Sequence, residues 1–404
     1  MKGKTIVLGV TGSIAAYKAA DVASKLAQAG ATVPVMMTRA ALEFITPLTF
    51  RSLTHQQVYV DWYDAGSDLA IQHVALANQA DAVLVAPATA DFLAKLVYGF
   101  ADDPLSGTIL ATQAPVLVAP AMDGHMYDHP ATQQNLATLR SRGVTIIGPE
   151  QGHLASGLTG MGRLSSTETI LAYVKMALGR SGDLAGLRVV VSAGPTEEPM
   201  DPVRHISNRS TGRMGFAVAE AARDRGATVT LVTGPTVLPD PVGVKVARIR
   251  TALQMLDATQ SAVRDADIVV MTAAVADYRP AIQAEQKMKK GPGDTTVMEL
   301  VKNPDIIATI QGDFVKIGFA AESEDLIRNA RTKLAEKRLD LVAANDITAP
   351  GSGFAVDTNK VLLVHPSGEV EDLPLMTKAE VADVILDRAV AVRQQRARQP
   401  VVAG

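Results

Sequence analysis

Two small residues follow the first apolar run of the chain at a spacing that suits phosphate binding. Gly12 and Ser13 come directly after "TIVLGVT" and precede an alanine-rich stretch that is predicted to be a helix over 14–29. Such a turn directs backbone amides and the Ser13 hydroxyl to a point where the helix dipole favours an anion. The Gly-x-x-Gly-Ser pattern lacks the third glycine of a dinucleotide loop and the lysine of a P-loop. Alone, it favours a mononucleotide phosphate only slightly over a plain tight turn.

Three later loops carry further hydrogen-bonding side chains: 36–44, 86–108 and 119–135. Thr38, Thr89 and Ser106 can bind a phosphate or the edge of a ring, and Pro87 lets flat backbone approach a planar ligand. If the preceding apolar runs are parallel strands, the three loops converge at the carboxyl ends of those strands. Each loop taken singly is equally compatible with an ordinary strand connection.

The histidines allow both a structural and a chemical interpretation. His73 lies on a predicted helix among apolar residues, which is typical of a core histidine, but its ordinary pKa would also allow a general base at neutral pH. His125 and His129 have the spacing of a metal-binding helical pair. We disfavour a metal there because Pro130 interrupts the helix that this spacing requires.

The glycine-rich segment 153–166 is predicted to be a flap over a site, because loops of this length inside compact domains usually have a function. It contains Ser156 and Arg163. An ordinary surface loop is the alternative.

A second group of polar motifs occupies the C-terminal half. The segment 193–215 carries Asn208, Arg209, Ser210, Thr211 and Arg213, which can hold a triphosphate or an acyl phosphate. The segment 286–294 carries Lys287, Lys289 and Lys290 between glycines; a solvated turn is the usual interpretation of such a lysine run. Further polar groups lie at predicted strand or helix ends: Asp277, Lys302, Asn303, and the helical pair Lys333 and Lys337.

Short apolar runs that alternate with amphipathic stretches must position these residues. The pattern is typical of an α/β fold with a parallel sheet covered on both faces. It restarts after a Gly/Ser/Asp-rich stretch, so we predict two Rossmann-like domains, 1–182 and 183–404. Further helices are predicted over 90–99, 131–142, 213–225, 251–264, 323–337 and 377–396, with a frayed tail after them.

Composition limits the class of protein. The 404 residues include 39 basic and 42 acidic side chains for a net charge of −3, which argues against nucleic acid or an anionic membrane as the main partner. There is no cysteine, so disulfides and cysteine nucleophiles are excluded. No apolar stretch has the length of a signal peptide core or a membrane span, and we expect a cytoplasmic protein.

Together and in this order, the motifs resemble a known family, the bifunctional phosphopantothenoylcysteine decarboxylase/phosphopantothenate-cysteine ligases of coenzyme A biosynthesis. "GVTGSIAAYKA", "APATADF", "PAMDGHMY" and the flap resemble its flavodoxin-like FMN decarboxylase domain, of the flavin-containing cysteine decarboxylase (HFCD) type. "SAGPTEEPMDPVRHISNRSTGRMG", "AAVADYRP", "KMKK" and "VKNPDI" resemble its CTP-dependent ligase domain, which has a mainly parallel sheet.

The resemblance implies two reactions in sequence. The ligase activates 4'-phosphopantothenate with CTP and Mg2+ as an acyl-cytidylate, which the amine of cysteine attacks. An FMN-dependent oxidation, loss of carbon dioxide and return of the electrons to the enethiol then give 4'-phosphopantetheine. The resemblance further implies a homo-oligomer, a dodecamer built from decarboxylase trimers and ligase dimers.

The resemblance also implies roles for individual residues. The expected FMN contacts are Gly12, Ser13, Ile14, Thr38, Pro87, Thr89 and Ser106. The expected catalytic residues are His73, Asp123 and Ser156 in the first domain and Asn208 and Lys287 in the second. The expected CTP contacts are Asp277, Lys287, Phe319, Lys333 and Lys337. The expected substrate contacts are Met122, Arg163, Arg204, Arg209, Lys302 and Asn303.

Two positions depart from the family pattern. Position 123 is Asp where the family usually has Asn, and position 156 is Ser where the flap usually has Cys. The family cysteine is thought to donate a proton when the enethiol is reduced, and a serine hydroxyl is a far weaker acid. We expect the reduced product to form nonetheless, with another group or a water held by Ser156 as the proton donor. One alternative is a flavin-binding protein with ligase activity and weak or altered decarboxylase activity. Others are a flavin-storage or regulatory protein, a flavin prenyltransferase and a peptide-cysteine decarboxylase.

Overall fold

The computed structural model describes residues 1–62, 69–289, 296–322, 324–346, 353 and 356–398. It divides the chain into two compact units, Met1–Leu178 and Gly179–Gly404. The domain boundary predicted from the sequence, at residue 182, lies a few residues after this division. Lys290 of the lysine-rich segment lies outside the described residues.

The first unit alternates strands and helices along the chain. Its elements are β1 (Ile6–Val10), α1 (Ala16–Gln28), β2 (Val35–Met37), α2 (Pro47–Thr54), β3 (Val58–Tyr59), α3 (Leu69–Gln79), β4 (Ala82–Ala88), α4 (Ala90–Tyr98), α5 (Pro104–Ala111), β5 (Val116–Pro120), α6 (Gly124–Asp128), α7 (Pro130–Ser141), β6 (Thr145–Ile146), β7 (Glu150–His153), β8 (Thr159–Arg163) and α8 (Thr167–Gly179).

Six strands of the first unit form one parallel sheet in the order β3-β2-β1-β4-β5-β6. Without the two-residue edge strand β3, the order is that of flavodoxin-like proteins, and the winding direction reverses between β1 and β4. The strands are apolar throughout because helices cover both faces. Ile6, Leu8 and Val10 pack into one core and Val7 into the other. β7 and β8 form a separate antiparallel hairpin, which contains the predicted flap.

The second unit repeats this plan with more hairpins. Its elements are β9 (Arg188–Ala193), β10 (Glu197–Pro199), β11 (His205–Ser207), α9 (Arg213–Asp224), β12 (Thr228–Thr233), β13 (Lys245–Arg248), α10 (Ala252–Ala262), β14 (Ile268–Met271), β15 (Tyr278–Pro280), β16 (Leu300–Lys302), α11 (Ile306–Thr309), β17 (Val315–Glu322), α12 (Leu326–Glu336), β18 (Leu341–Asp346), β19 (Thr358–Asn359), β20 (Val361–Val364), β21 (Val370–Asp372), β22 (Met376–Thr377) and α13 (Lys378–Arg398).

The second sheet has the order β13-β12-β9-β14-β17-β18-β20-β21. The strands from β13 to β18 are parallel, and β20 and β21 add an antiparallel edge. Val189 and Val191 pack into one core and Val190 into the other. The winding reverses between β9 and β14, as it does between β1 and β4. The predicted fold class, two Rossmann-like α/β domains of which the second is mainly parallel, is confirmed.

Three local predictions need correction or refinement. Ser106, predicted in a loop, lies in the first turn of α5, because Asp103 and Pro104 supply a cap and a helix-compatible first residue. The long loop 193–215 contains the β10–β11 hairpin. The predicted frayed tail is helical through residue 398; Arg393 bonds to Asp267 and so fastens the end of α13 to the sheet.

The first residue of α13 anchors the segment that precedes it. Lys378 is buried, and its Nζ donates hydrogen bonds to the carbonyl oxygens of Gly353 (3.0 Å), Thr358 (3.2 Å) and Val356. Burial and the nearby Arg213 lower the pKa of this amine, although Asp357 opposes the effect. The three carbonyl groups would lose their donor if the amine were removed.

We expect Lys378→Met to lower the local stability of this segment by about 1–3 kcal/mol, because three part-buried hydrogen bonds lose their charged donor. The matched control is Lys360→Met, which removes an exposed ion pair with Asp372 (2.7 Å) and should cost about 1 kcal/mol or less. Amide hydrogen exchange of residues 356–360 measures the difference. Equal protection in the two variants would contradict the anchoring role.

Candidate active sites

The turn after β1 is tied to the turn after β4. The hydroxyl of Thr11 donates to the carbonyl oxygen of Pro87 (2.8 Å) and accepts from the amide of Thr89 (3.0 Å). The point where the sheet reverses its winding direction is therefore fixed by a buried side chain. Ligands of such folds bind at this place, beyond the carboxyl ends of the strands.

A first cavity, of about 690 Å³, lies at this turn. Its volume falls in the range of about 300–1,000 Å³ that is typical of cofactor and ligand sites. It is lined by residues from each of the loops that the sequence predicts to converge: Thr11, Gly12, Thr38, Arg39, Ala40, Val60, Asp61, Trp62, Thr89, Ala90, Asp91, Phe92, Lys95, Asp102, Asp103, Pro104 and Met126. The Thr38 Oγ1 is buried and has no hydrogen-bond partner among the described residues. A ligand in this cavity would satisfy it.

Glycine is required at position 12 for the cavity to have this shape. A Cβ added there would lie 2.4 Å from the Cβ of Ala40 and 3.0 Å from its carbonyl carbon. The turn after β1 and the turn after β2 thus approach each other more closely than any side chain allows.

Three predicted residues lie near the first cavity without being among its described lining. His73 is half-buried and packs edge-on against Trp62, with ring centres 4.7 Å apart, and Trp62 does line the cavity. Ser106 is buried in a capping box with Asp103, whose carboxylate accepts from the Ser106 amide (2.8 Å). Pro87 contributes its carbonyl to Thr11.

A second cavity of about 440 Å³ lies between the start of α1, the end of β5 and the β7–β8 hairpin. It is lined by Ser13, Ile14, Ala15, Tyr17, Lys18, Ala121, Met122, Asp123, His153, Leu154, Ala155, Ser156, Gly162, Arg163 and Leu164. The structure therefore brings together six residues that the sequence singled out, from three separate segments. The predicted FMN contacts divide between the two cavities: Gly12, Thr38 and Thr89 line the first, whereas Ser13 and Ile14 line the second.

The two positions that depart from the family pattern touch each other in the second cavity. The Ser156 hydroxyl donates to Oδ2 of Asp123 (2.7 Å), and the His125 amide donates to Oδ1 (2.9 Å). The hydrogen bond from Ser156, followed by that from His125, lowers the pKa of Asp123 below its ordinary value. Asp123 is therefore a carboxylate at neutral pH, and Ser156 is its hydrogen-bond donor.

In the second unit, a third cavity of about 200 Å³ lies at the carboxyl ends of β14 and β17. It is lined by Met271, Ala273, Val275, Ala276, Asp277, Lys302, Asn303, Pro304, Asp305, Ile306, Ile307, Phe319, Lys333 and Lys337. The Lys337 amine pairs with Asp305 (2.8 Å), and the Lys333 amine donates to the Phe319 carbonyl oxygen (2.6 Å). The cavity thus combines an aromatic face with two cations.

A fourth cavity, also of about 200 Å³, shares Ala273, Phe319 and Lys333 with the third. Its other lining residues are Ser210, Thr211, Gly212, Arg213, Met214, Gly215, Thr272, Ala274, Ala320, Asn345, Gly353, Asn359 and Lys378. The sequence did not single out Asn345, Asn359 or Lys378. No local motif marks them: Asn345 comes from β18, Asn359 from the β19–β22 pair and Lys378 from the start of α13.

Of the remaining predicted ligase residues, Asn208 contacts a residue that lines the fourth cavity. The Asn208 amide donates to the carbonyl oxygen of Ala274 (3.1 Å), which lines the fourth cavity. Lys287 is exposed and is not among the described residues that line either cavity. Arg209 is exposed as well.

Arg204 binds the backbone of the lysine-rich segment at Met288. It pairs with the buried Asp201 through two nitrogens and donates to the Met288 carbonyl oxygen (2.9 Å). Asp201 also accepts from the Met288 amide (3.1 Å). Arg204 and Asp201 therefore hold the backbone next to Lys287.

The described residues contain no group of three His, Asp or Glu side chains that could hold a metal ion. They also contain no helix with the length and apolarity needed to cross a membrane.

Two doubly wound α/β units, each with cavities at the carboxyl ends of its strands, define a two-domain ligand-binding enzyme. The family model described as Flavoprotein matches residues 1–179, and that of the DNA/pantothenate metabolism flavoprotein C-terminal domain matches residues 184–392. The chain is 44% identical over 98% of its length to the coenzyme A biosynthesis bifunctional protein CoaBC of Bacillus subtilis, and 98% of that protein is covered. It is 43% identical over 99% of its length to the CoaBC protein of Escherichia coli K12, all of which is covered.

The chain belongs to the CoaBC family. It is a bifunctional enzyme of coenzyme A biosynthesis that combines a decarboxylase with a ligase. Similar solved structures include the C-terminal domain of a CoaBC protein, at 38% identity and a TM-score of 0.46, which covers 53% of this chain and 100% of that one. A PPC decarboxylase mutant complexed with pantothenoylaminoethenethiol is 29% identical with a TM-score of 0.40, over 44% of this chain and 98% of that one.

The Asp201 carboxylate should make stability depend on pH. Arg204, helped by the amides of Val203, Arg204 and Met288, holds the pKa of Asp201 far below its ordinary value. A carboxylate whose pKa is lower in the folded state stabilises the fold above its unfolded pKa of about 4 and loses this effect as the pH falls through the folded pKa.

We expect Asp201→Asn to lower the stability of residues 197–207 at neutral pH. In this variant the stability should also decrease less as the pH drops below about 4. Amide hydrogen exchange across a pH series measures both effects. The control is Asp240→Asn, which removes a pair with Arg248 whose two side chains are about half exposed. An acid dependence that survives in Asp201→Asn but not in Asp240→Asn would contradict the assignment.

Proposed function

We propose that the first unit decarboxylates phosphopantothenoylcysteine with FMN and that the second unit joins cysteine to 4'-phosphopantothenate at the expense of CTP. The observation that carries the proposal is the third cavity. All the CTP contacts expected from the resemblance except Lys287, namely Asp277, Phe319, Lys333 and Lys337, line this one space.

The first unit fits FMN. The first cavity has about 690 Å³, and it offers the unpartnered Thr38 hydroxyl together with Gly12 and Thr89 at the turn where the sheet reverses. When bound, FMN supplies a two-electron acceptor that later returns the electrons. His73 would act next to the cavity as a base, steadied by its edge contact with Trp62.

The second cavity suits the substrate of decarboxylation. Its apolar lining, with Ile14, Tyr17 and Met122, accommodates an extended aliphatic chain. The Ser156 proton is shared with Asp123, which is already ionised, so Ser156 is a poor proton donor while this hydrogen bond is intact. We infer that Ser156 and Asp123 orient a water molecule and that the water supplies the proton to the reduced product.

In the second unit, Phe319 would support the cytosine ring, and Lys333 and Lys337 would offset the negative charge that develops on the phosphates. Asn208 and Lys287 would act on the acyl-cytidylate, with Lys287 held on its segment by the contacts of Arg204 and Asp201. Mg2+ would be bound mainly by the phosphates of CTP, as is usual for this ion. The homo-oligomer, a dodecamer of trimers and dimers, and a cytoplasmic location belong to the same proposal.

A second candidate function follows from the Ser156–Asp123 contact. If no water reaches the site, the ligase would be active while the decarboxylase releases the enethiol or turns over weakly. This alternative differs from the main proposal only in the final product.

Mass spectrometry of the products tests both. The full-length protein loaded with FMN is given CTP, Mg2+, cysteine and 4'-phosphopantothenate, and we expect 4'-phosphopantetheine together with pyrophosphate release that requires CTP, Mg2+ and 4'-phosphopantothenate. Accumulation of the enethiol would support the second candidate. Accumulation of phosphopantothenoylcysteine would contradict the decarboxylase, and CTP-independent turnover would contradict the ligase.

The third cavity yields a separate prediction. Lys333→Met should raise the KM for CTP about 10- to 100-fold, because it removes a charge-assisted hydrogen bond to a phosphate. The control is Lys245→Met, on the exposed side of β13, which should leave KM unchanged. Pyrophosphate release as a function of CTP concentration measures it. An unaltered KM in Lys333→Met would place the nucleotide elsewhere.

A further inference from the structure

Two cations line the second cavity beside the Ser156–Asp123 pair. Lys18 comes from the first turn of α1, and Arg163 is the last residue of β8. The resemblance singled out Arg163 as a substrate contact without assigning a chemical group to it, and it did not single out Lys18.

The positive charge of these two side chains is not neutralised within the described residues. Neither forms an ion pair there, and the Lys18 amine has only a distant contact, 6.0 Å from the centre of the Tyr17 ring. Burial and then the charge of Arg163 lower the pKa of Lys18, and Glu150 offsets this in part. Two like charges that face one cavity repel each other, and a bound anion removes this cost.

The carboxylates close to the cavity are engaged elsewhere. Asp123 accepts hydrogen bonds from Ser156 and His125. Glu150 accepts from the Ser166 amide (3.0 Å). Neither carboxylate therefore occupies the place of an anion between Lys18 and Arg163.

The surroundings favour a dianion over a single carboxylate. The start of α1, a helix of 13 residues, adds its positive dipole end to the two side-chain charges. Ser13, at the entrance to this helix, accepts a hydrogen bond from the Ala15 amide (3.2 Å) and keeps its proton available for a ligand. Two cations, a hydroxyl and a helix start are the groups that recognise a phosphate monoester.

We propose that Lys18 and Arg163 bind the phosphate monoester of the decarboxylation substrate. The inference rests on the proposed function of the first unit and adds the residues that recognise the phosphorylated end. FMN carries the same chemical group, and Ser13 and Ile14, two of its expected contacts, line the second cavity. We place FMN in the first cavity because the unpartnered Thr38 hydroxyl and the close turn at Gly12 lie there. Ile14 and Met122, which line the second cavity, suit the aliphatic remainder of the substrate.

The test compares substrates with and without the phosphate. Lys18→Met and Arg163→Gln are prepared as full-length proteins loaded with FMN, with Lys25→Met and Arg140→Gln as matched controls. Lys25 is exposed two turns further along α1, and Arg140 is exposed on α7. Binding of 4'-phosphopantothenoylcysteine and of pantothenoylcysteine is measured by calorimetry, and carbon dioxide release is measured in parallel.

We expect each of Lys18→Met and Arg163→Gln to weaken binding of the phosphorylated compound about 10- to 100-fold. Binding of pantothenoylcysteine should stay within about 2-fold, and both controls should bind like the wild-type protein. Lys18→Arg should restore part of the affinity, because it keeps the charge.

Three results would overturn the proposal. Equal weakening for both compounds would mean that the residues act on the shared part of the substrate or on the fold. Unchanged binding of both would mean that the phosphate lies elsewhere. Loss of FMN from the variants, with unchanged discrimination between the compounds, would mean that Lys18 and Arg163 bind the phosphate of FMN. If the wild-type protein binds the phosphorylated compound more tightly but releases no carbon dioxide, the proposed decarboxylation fails while the phosphate site stands on the binding data.

Discussion

In each sheet the strands on one side of the first strand, β1 or β9, are added before those on the other side. The turn after that first strand is therefore left open. No crossover helix can then cover the ends of β1 and β4 together, nor those of β9 and β14. In the first unit the hydroxyl of Thr11, which follows β1, hydrogen-bonds to Pro87 and Thr89 at the end of β4. These bonds fix the distance between the two strand ends. The first cavity lies at this reversal between β1 and β4, and the fourth cavity lies at the one between β9 and β14.

The second cavity is lined by two kinds of polar group, a hydrogen-bonded pair and two uncompensated cations. Asp123 and Ser156 satisfy each other, so their contact fixes which of them donates and which accepts. A cysteine–asparagine pair would leave that choice open, since an amide both donates and accepts. Lys18 and Arg163 have no such partner within the described residues and face the same cavity. Satisfied groups can orient a ligand, whereas uncompensated charges can attract one.

The two lysines of the third cavity already have hydrogen-bond partners in the absence of a ligand. Lys337 pairs with Asp305, and Lys333 donates to the Phe319 carbonyl oxygen. A phosphate of the nucleotide that we propose for this cavity could take over these amines by exchange of hydrogen-bond partners. Earlier in the chain, Asp201 and Arg204 hold the backbone next to Lys287, and neither is among the described residues that line the third or fourth cavity. Residues that motifs mark as functional can therefore act through the backbone of their neighbours.

The sequence by itself determined the alternation of strands and helices, the division into two similar halves and the loops that carry polar groups. These properties follow from local hydrophobic spacing and turn chemistry, which act over a few residues. Sequence patterns placed Ser106 in a strand-end loop and did not predict that it forms a capping box with Asp103 at the start of α5. They also missed Asn345 and Lys378, which occur in no recognisable motif, and Lys18, which lies within the motif "GVTGSIAAYKA" but was given no role.

Beyond the predicted convergence of the three strand-end loops of the first unit, only the tertiary structure decided which residues share a cavity. Ser156 and Asp123 are far apart in sequence, and strand order together with the β7–β8 hairpin brings them to 2.7 Å. Strand order likewise brings Phe319 and Asp277, which are far apart in sequence, to the third cavity. Strand order is set by packing over the whole domain, so the spacing of residues along the chain cannot specify it.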